Sequence, residues 1–294
     1  MGAIFPERSG AVGVLGTRTA GRPAAGGKVA FFRSSGEKRV VDQPPHSQLI
    51  TGIATLGPEL ALTVDAGGTA VVWNRSVVAR VHSISEAELL SCTGWQEAGL
   101  GVAGTQHHAV ILVGLGESVR KLSLPTFRSL ASSGIAAVAA GGKPIQVFAA
   151  HFSGELSFLG RTEWAVKPST LRGSAAAIDR KCRLVASGTI NGEVYLLRCS
   201  DGTIVATFSL HEGAVSALAF DDEGTRLYSS GADRYVYAID LTCNKPMYGT
   251  LLPAPPIALL AEASDFVTAL DSTGSLYRFS SLPGRTSGEA TERQ

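Results

Sequence analysis

His211-Glu212-Gly213-Ala214-Val215-Ser216-Ala217-Leu218-Ala219-Phe220, then Gly224-Thr225-Arg226-Leu227-Tyr228-Ser229-Ser230-Gly231-Ala232-Asp233, then Val236-Tyr237-Ala238-Ile239-Asp240-Leu241, form the stretch that decides the fold. Each segment is a short alternating apolar run closed by a glycine or a polar turn, the pattern of strands joined by hairpins. Taking Asp233 as the turn position, equivalent turns fall at Gly26, Gly67, His107, Ser153, Asn191, Asp233 and Thr273, at intervals of 41, 40, 46, 38, 42 and 40 residues. The third strands expected after these turns are 28–32, 69–73, 109–113, 155–159, 193–197, 235–239 and 275–279. A period near forty residues marks a repeat architecture.

Further runs complete each repeat. Second strands are read at 59–64, 183–187 and 266–270, first strands at 49–54 and 214–220, and a fourth strand at 77–81. These runs are rich in Val, Ile, Leu and aromatics, which suit a pleated and half-buried surface. Four strands per repeat make one propeller blade, and seven repeats predict an all-β, seven-bladed β-propeller. Residues 1–282 are expected to form this single domain, with 283–294 as a polar, disordered C-terminal tail.

The sixth repeat resembles the WD-repeat family. In that family a histidine before the first strand, a serine or threonine on the second, an aspartate in the hairpin and a tryptophan on the third share a buried network. His211, Ser229 and Asp233 stand at three of these places, Ile239 stands where the tryptophan would be, and Asp240 follows it. The second repeat keeps Thr63 and Trp73, followed by Asn74, with Gly67 at the turn and Asp65 nearby; the fifth keeps Ser187 and has Asn191. On this reading no repeat is complete. The register covers about residues 40–280, while the first and fourth repeats match by spacing and apolar pattern alone.

The 26 basic and 25 acidic residues leave a net charge of +1, which argues for no broad attraction to nucleic acid or anionic membrane. No apolar run reaches the roughly 18 residues of a membrane span, so no membrane insertion is expected. Arg180-Lys181-Cys182-Arg183 is the densest basic group and reads as a solvated turn. Cys92, Cys182, Cys199 and Cys243 lack any paired spacing, which suggests neither a zinc ribbon nor a redox dithiol. There is no secretory apolar segment after Met1, and Pro6 stands where a myristoylation signal needs Ser or Thr. The expected location is intracellular, cytoplasmic or nuclear, with organellar import left open by the Arg-containing, acid-poor N-terminal stretch. Asn74-Arg75-Ser76 then reads as a chance match to a glycosylation sequon.

Gly99-Leu100-Gly101-Val102-Ala103-Gly104 fits the dinucleotide-binding glycine pattern, but that mechanism needs a helix afterwards to receive phosphate. A strand follows instead, so no cofactor is expected. His107-His108 read as hairpin residues, since neighbours on a strand face opposite ways. No catalytic constellation and no metal site emerge, and the chain is read as no enzyme.

Two ways of closing the ring remain. Gly2-Ala3-Ile4-Phe5 either supplies the outer strand of the last blade, the preferred clasp, or opens blade one with 11–16 as its second strand and 17–27 as an inserted loop. The resemblance implies a noncatalytic protein-interaction scaffold, a subunit of a larger multiprotein assembly. The alternative is an RNA- or ribosome-associated subunit using Arg18, Arg22, Arg180, Lys181 and Arg183; a ligand-binding or enzymatic propeller is the third class. In the family the partner surface is often the face carrying the loops into the first strands and the second-to-third strand hairpins. Its candidates here are Gln48, Gln106, His107, Arg234 and Tyr235, with Arg234 and Tyr235 foremost because arginine and aromatics anchor interfaces.

Overall fold

The structure, a computed structural model, describes residues 2–280 apart from 8–9, 18–27, 33–37, 42–45, 47, 58, 75–76, 85–87, 108, 117, 127–132, 170 and 262–265. Among the described residues the strands form six antiparallel sheets of four and one of three, each pairing in chain order. The innermost strands are Gly2–Glu7, Ile50–Thr55, Leu89–Trp95, Ile135–Gly141, Gly173–Ile178, Val215–Phe220 and Pro256–Ala261. Each lies beside the innermost strand of the next sheet, and Gly2–Glu7 touches both Ile50–Thr55 and Pro256–Ala261. The protein is an all-β propeller.

The anticipated third strands recur almost residue for residue, as in Lys28–Phe32, Ala109–Val113 and Tyr235–Asp240. In Thr69–Asn74, Ala109–Val113, Leu156–Leu159 and Glu193–Arg198 most side chains are buried, because both faces of the sheet meet a neighbouring blade. Leu62, Val64 and Val72 of the second sheet pack with Leu89, Ala103 and Ile111 of the third, and Val194 and Leu196 of the fifth pack with Leu227 and Ile239 of the sixth. Each such Leu, Val or Ile side chain stabilises the fold by about 1.5–3 kcal/mol when fully buried.

The clasp is overturned. Gly2–Glu7 pairs antiparallel with Gly10–Thr17, Gly2 opposite Leu15 and Glu7 opposite Gly10, and the latter strand pairs onward with Lys28–Phe32. The N-terminus therefore opens the first sheet, as in the second of the two closures. Pairing between strands only two residues apart costs far less closure entropy than reaching the far end of the chain. The last sheet comprises Pro256–Ala261, Phe266–Asp271 and Leu276–Ser280. The turn placed at Gly26, most of the proposed insertion and the tail 283–294 lie outside the described residues.

The glycine motif at 99–104 lies largely within the strand Leu100–Thr105, after a single 3-10 turn at Gln96–Ala98. Its function is close packing: a Cβ on Gly101 would stand 2.3 Å from Leu62 Cδ2, and one on Gly104 would stand 2.6 Å from Ile135 Cγ2.

Candidate functional site

In the sixth blade, His211 Nδ1 donates to Asp233 Oδ1 at 3.0 Å, and His211 Nε2 meets Ser229 Oγ at 2.9 Å. Asp233 also accepts the amides of Glu212 and Tyr235 at 3.1 Å each. One carboxylate thus ties the loop before the first strand to the hairpin between the second and third. Ile239, fully buried, fills the place of the tryptophan. Ser229 then needs no indole donor, since its hydroxyl can donate to the ring nitrogen.

Burial lowers the pKa of His211 below its ordinary 6.5, against the opposing pull of Asp233. The folded value lies below the unfolded one, so the unfolded chain takes up the proton first. Stability from this group is complete above about pH 6.5 and is lost as pH falls from there through the lower folded value. Thermal unfolding at pH 7.5, 6.5 and 5.5 is expected to show a declining Tm, with a smaller decline in His211→Gln. Equal slopes for the two proteins would contradict it.

The second blade carries a complete network, contrary to the expectation that none would. Trp73 Nε1 donates to Thr63 Oγ1 at 2.7 Å, Thr63 Oγ1 meets His46 Nε2 at 2.6 Å, and His46 Nδ1 donates to Asp65 Oδ2 at 3.0 Å. Asp65 Oδ1 accepts the amides of Gly67 and Thr69 at 2.9 and 2.8 Å. Burial pushes the Asp65 carboxyl up, but the bonds from His46 and Thr69 outweigh it and hold it below the ordinary range. The two blades exchange residues: Asp65 and Gly67 in one correspond to Gly231 and Asp233 in the other. The reason is spatial. A Cβ on Gly231 would stand 2.5 Å from His211 Nδ1, and one on Gly67 would stand 2.7 Å from Gln48 Cγ.

The position missed in the sequence is therefore the last residue of the second strand. It is Asp65, Thr105, His151, Thr189, Gly231 and Asp271 in successive blades from the second onward. Thr105 and Thr189 accept amides of their own hairpins, His151 Nε2 meets Ser157 Oγ at 3.0 Å, and Asp271 accepts the amides of Thr273 and Ser275. A polar residue two places before the turn in all of these blades but the sixth, which has Gly231, was the available signal. His46 had one too, since it precedes Thr63 by 17 residues as His211 precedes Ser229 by 18.

Backbone bonds fix the same face. The amides of Ala66, Phe152, Ile190, Ala232 and Ser272 donate to the carbonyls of Leu49, Gly134, Arg172, Ala214 and Pro255, joining each hairpin to the loop entering the first strand. The tip of each of these hairpins needs a left-handed residue: Gly68, Gly154, Gly192 and Gly274 have φ between 80° and 95°, and the equivalent residue in the sixth blade is Arg234 with φ 72°. An L-residue with a long side chain costs about 1–2 kcal/mol there. Arg234 is exposed, with Nη1 3.5 Å from the Pro253 carbonyl, and Tyr235 stacks on Tyr237, whose ring meets His211 edge-on. Gln48 and His107 are exposed and Gln106 is half-buried, each in the corresponding loops of the second and third blades. His108 lies outside the described residues.

The opposite end differs. Asp179 is buried and accepts the amide of Leu184 at 3.0 Å and Arg183 Nε at 3.0 Å. Lys181 pairs with Glu223 at 3.0 Å, and Arg180 lies 3.4 Å from Glu97 and 3.5 Å from Asp222. The basic turn is thus neutralised by acids of its own blade, of the next blade and, through Glu97, of the third, while Arg18 and Arg22 lie outside the described residues. Between the ends runs a central channel of about 740 Å³ lined mainly by the innermost strands. Among the described residues no group of three His, Cys, Asp or Glu is placed to hold a metal ion. Burial pushes the Cys92 and Cys199 thiols far up and that of Cys182 to about 11, so all three are protonated at neutral pH.

Comparison with known proteins agrees with this geometry. The family model described as WD domain, G-beta repeat, matches residues 202–240, which span the outermost strand of the fifth sheet and the first three strands of the sixth. A stretch of 93 residues is 37% identical to Cilia- and flagella-associated protein 44 of Chlamydomonas reinhardtii, and it covers 31% of this chain and 5% of that protein's length. The computationally designed Ika8 protein is structurally similar with a TM-score of 0.67 over 94% of this chain and 82% of its own, at 18% identity, which concerns fold alone. Among the described residues no helix is long and apolar enough to cross a membrane.

Proposed function

We propose, from the premise that the chain is a WD-repeat β-propeller, that it is a noncatalytic protein-interaction scaffold within a multiprotein assembly. One observation carries the reading. The loops into the first strands and the second-to-third hairpins are held rigid by buried His–Asp–Ser/Thr networks in two blades and by repeated backbone bonds in five. Loops pinned to a rigid frame present partner contacts at little ordering cost. We take the propeller to have seven blades, the three-stranded sheet being the last, supported by innermost strands that neighbour one another around the whole ring. The section of likeness to a cilia- and flagella-associated protein supports an assembly of that kind. Neutralisation of the basic turn favours protein over RNA as the direct partner.

Arg234 holds a strained backbone at a turn where four other blades have glycine, and strain of this kind clusters at functional positions. In Arg234→Glu with Tyr235→Ala, proteins captured with the tagged chain are expected to be lost while the fold is kept. Arg234→Gly should raise the Tm by a few degrees, having relieved the left-handed strain, and still weaken capture. Full retention of every partner by a folded double variant would show that this hairpin is not the contact.

A further inference from the structure

On the same face, three blades build a cluster that the candidates above do not include. Glycine at 134 lets both Leu90 and Phe152 close in on it, since a Cβ there would stand 2.5 Å from Leu90 Cδ1 and 3.2 Å from Phe152 Cδ2. Arg172 lays its guanidinium over the Phe152 ring, 4.6 Å from the centroid. The Arg172 carbonyl in turn holds the amide of Ile190, whose side chain is 39% exposed. Leu90 belongs to the third blade, Gly134 and Phe152 to the fourth, and Arg172 and Ile190 to the fifth. An apolar floor and an exposed cation therefore adjoin on one side of the ring.

Arg172 differs from the basic side chains at the other end. Arg180, Lys181 and Arg183 are each paired with an acid, whereas Arg172 forms no ion pair with any acid among the described residues. The Phe152 ring lies beneath the guanidinium, whose N–H fork has no hydrogen-bond partner among the described residues, and that fork matches a carboxylate in two parallel bonds. Arginine beside aromatic and aliphatic side chains is also the composition of interface anchors.

We infer that Leu90, Phe152, Arg172 and Ile190 form a docking site for an acidic segment of a partner protein, its carboxylate on the Arg172 fork and an adjoining apolar side chain on Phe152 and Ile190. This rests on the scaffold reading and specifies the chemistry of one contact within it. The probe is a phage-displayed library of random peptides selected on the intact protein. Enriched peptides should carry Asp or Glu within a few positions of Leu, Ile or Phe. A synthetic peptide of that sequence should bind Arg172→Glu roughly tenfold or more weakly than wild type, the loss of one charge-assisted contact. Changing its acid to Lys should restore binding to Arg172→Glu. Absence of enrichment, enriched peptides without an acid, or unchanged binding by Arg172→Glu would overturn the site. If wild type and Arg172→Glu capture the same proteins from the native cell, the site falls and the scaffold stands. If wild type captures none, both fall.

Discussion

Alanine at Trp73 is expected to destabilise the protein by about 3–5 kcal/mol, the usual cost of emptying a large aromatic site. Trp73 is fully buried and packs with Val29 of the first sheet and Ile50, Ile53, Ala61 and Val71 of its own. Its indole also donates to Thr63, the hydroxyl that leads on to His46 and Asp65. Truncation would therefore open a cavity between two blades and leave a buried hydroxyl short of a donor. For a chain of this size the fall in Tm is on the order of 10 °C, measurable by calorimetry. Trp73→Phe keeps most of the packing and loses the indole N–H, so it should cost about 1–2 kcal/mol. Equal effects of the two variants would mean that the network contributes little beyond the ring's bulk.

Alanine at Gly94 should be at least as damaging. Its Cβ would stand 1.6 Å from the carbonyl oxygen of Thr55, the last residue of the neighbouring innermost strand. Backbone cannot swing aside as a flexible side chain can, so the second and third blades would have to part. Overpacking usually costs about 1–3 kcal/mol, and a backbone clash of this depth belongs above that range. Near-ultraviolet circular dichroism and thermal unfolding are expected to show lost tertiary packing or a transition lowered by 10 °C or more. Gly116→Ala is the control, because nothing lies within 4 Å of the added carbon. A Gly94→Ala protein that melts like the control would refute the close approach of these two blades.

Much of the fold was legible because strand alternation and blade period are properties of short stretches. The run 235–239 is legible as a strand through its Tyr, Val and Ile content after a polar turn, and the turn at Asp233 sets the register for its neighbours. The network of the sixth blade could be read from His211, Ser229 and Asp233 for the same reason. In the second blade the carboxylate comes from Asp65, and position 67, which aligns with Asp233, holds glycine, so the aligned sequence shows an incomplete network. Two backbone positions can deliver a carboxylate to one place, and only three-dimensional geometry shows them to be equivalent. Closure is not legible because Gly2-Ala3-Ile4-Phe5 has strand character under either pairing. Its apolar pattern does not name its partner. The contact of Arg172 with Phe152 is not legible in sequence because it joins residues 20 apart across two blades. Arg180 to Arg183 looked basic in sequence and is neutralised by Glu97, Asp222 and Glu223, acids that only the ring brings near.

The scaffold reading is tested most directly by gentle affinity capture of the tagged protein from its native cell, quantified by mass spectrometry with and without nuclease. A set of proteins in fixed ratio, unchanged by nuclease, is the expected result. Recovery of the chain alone, or loss of the set on nuclease treatment, would contradict a protein-binding scaffold.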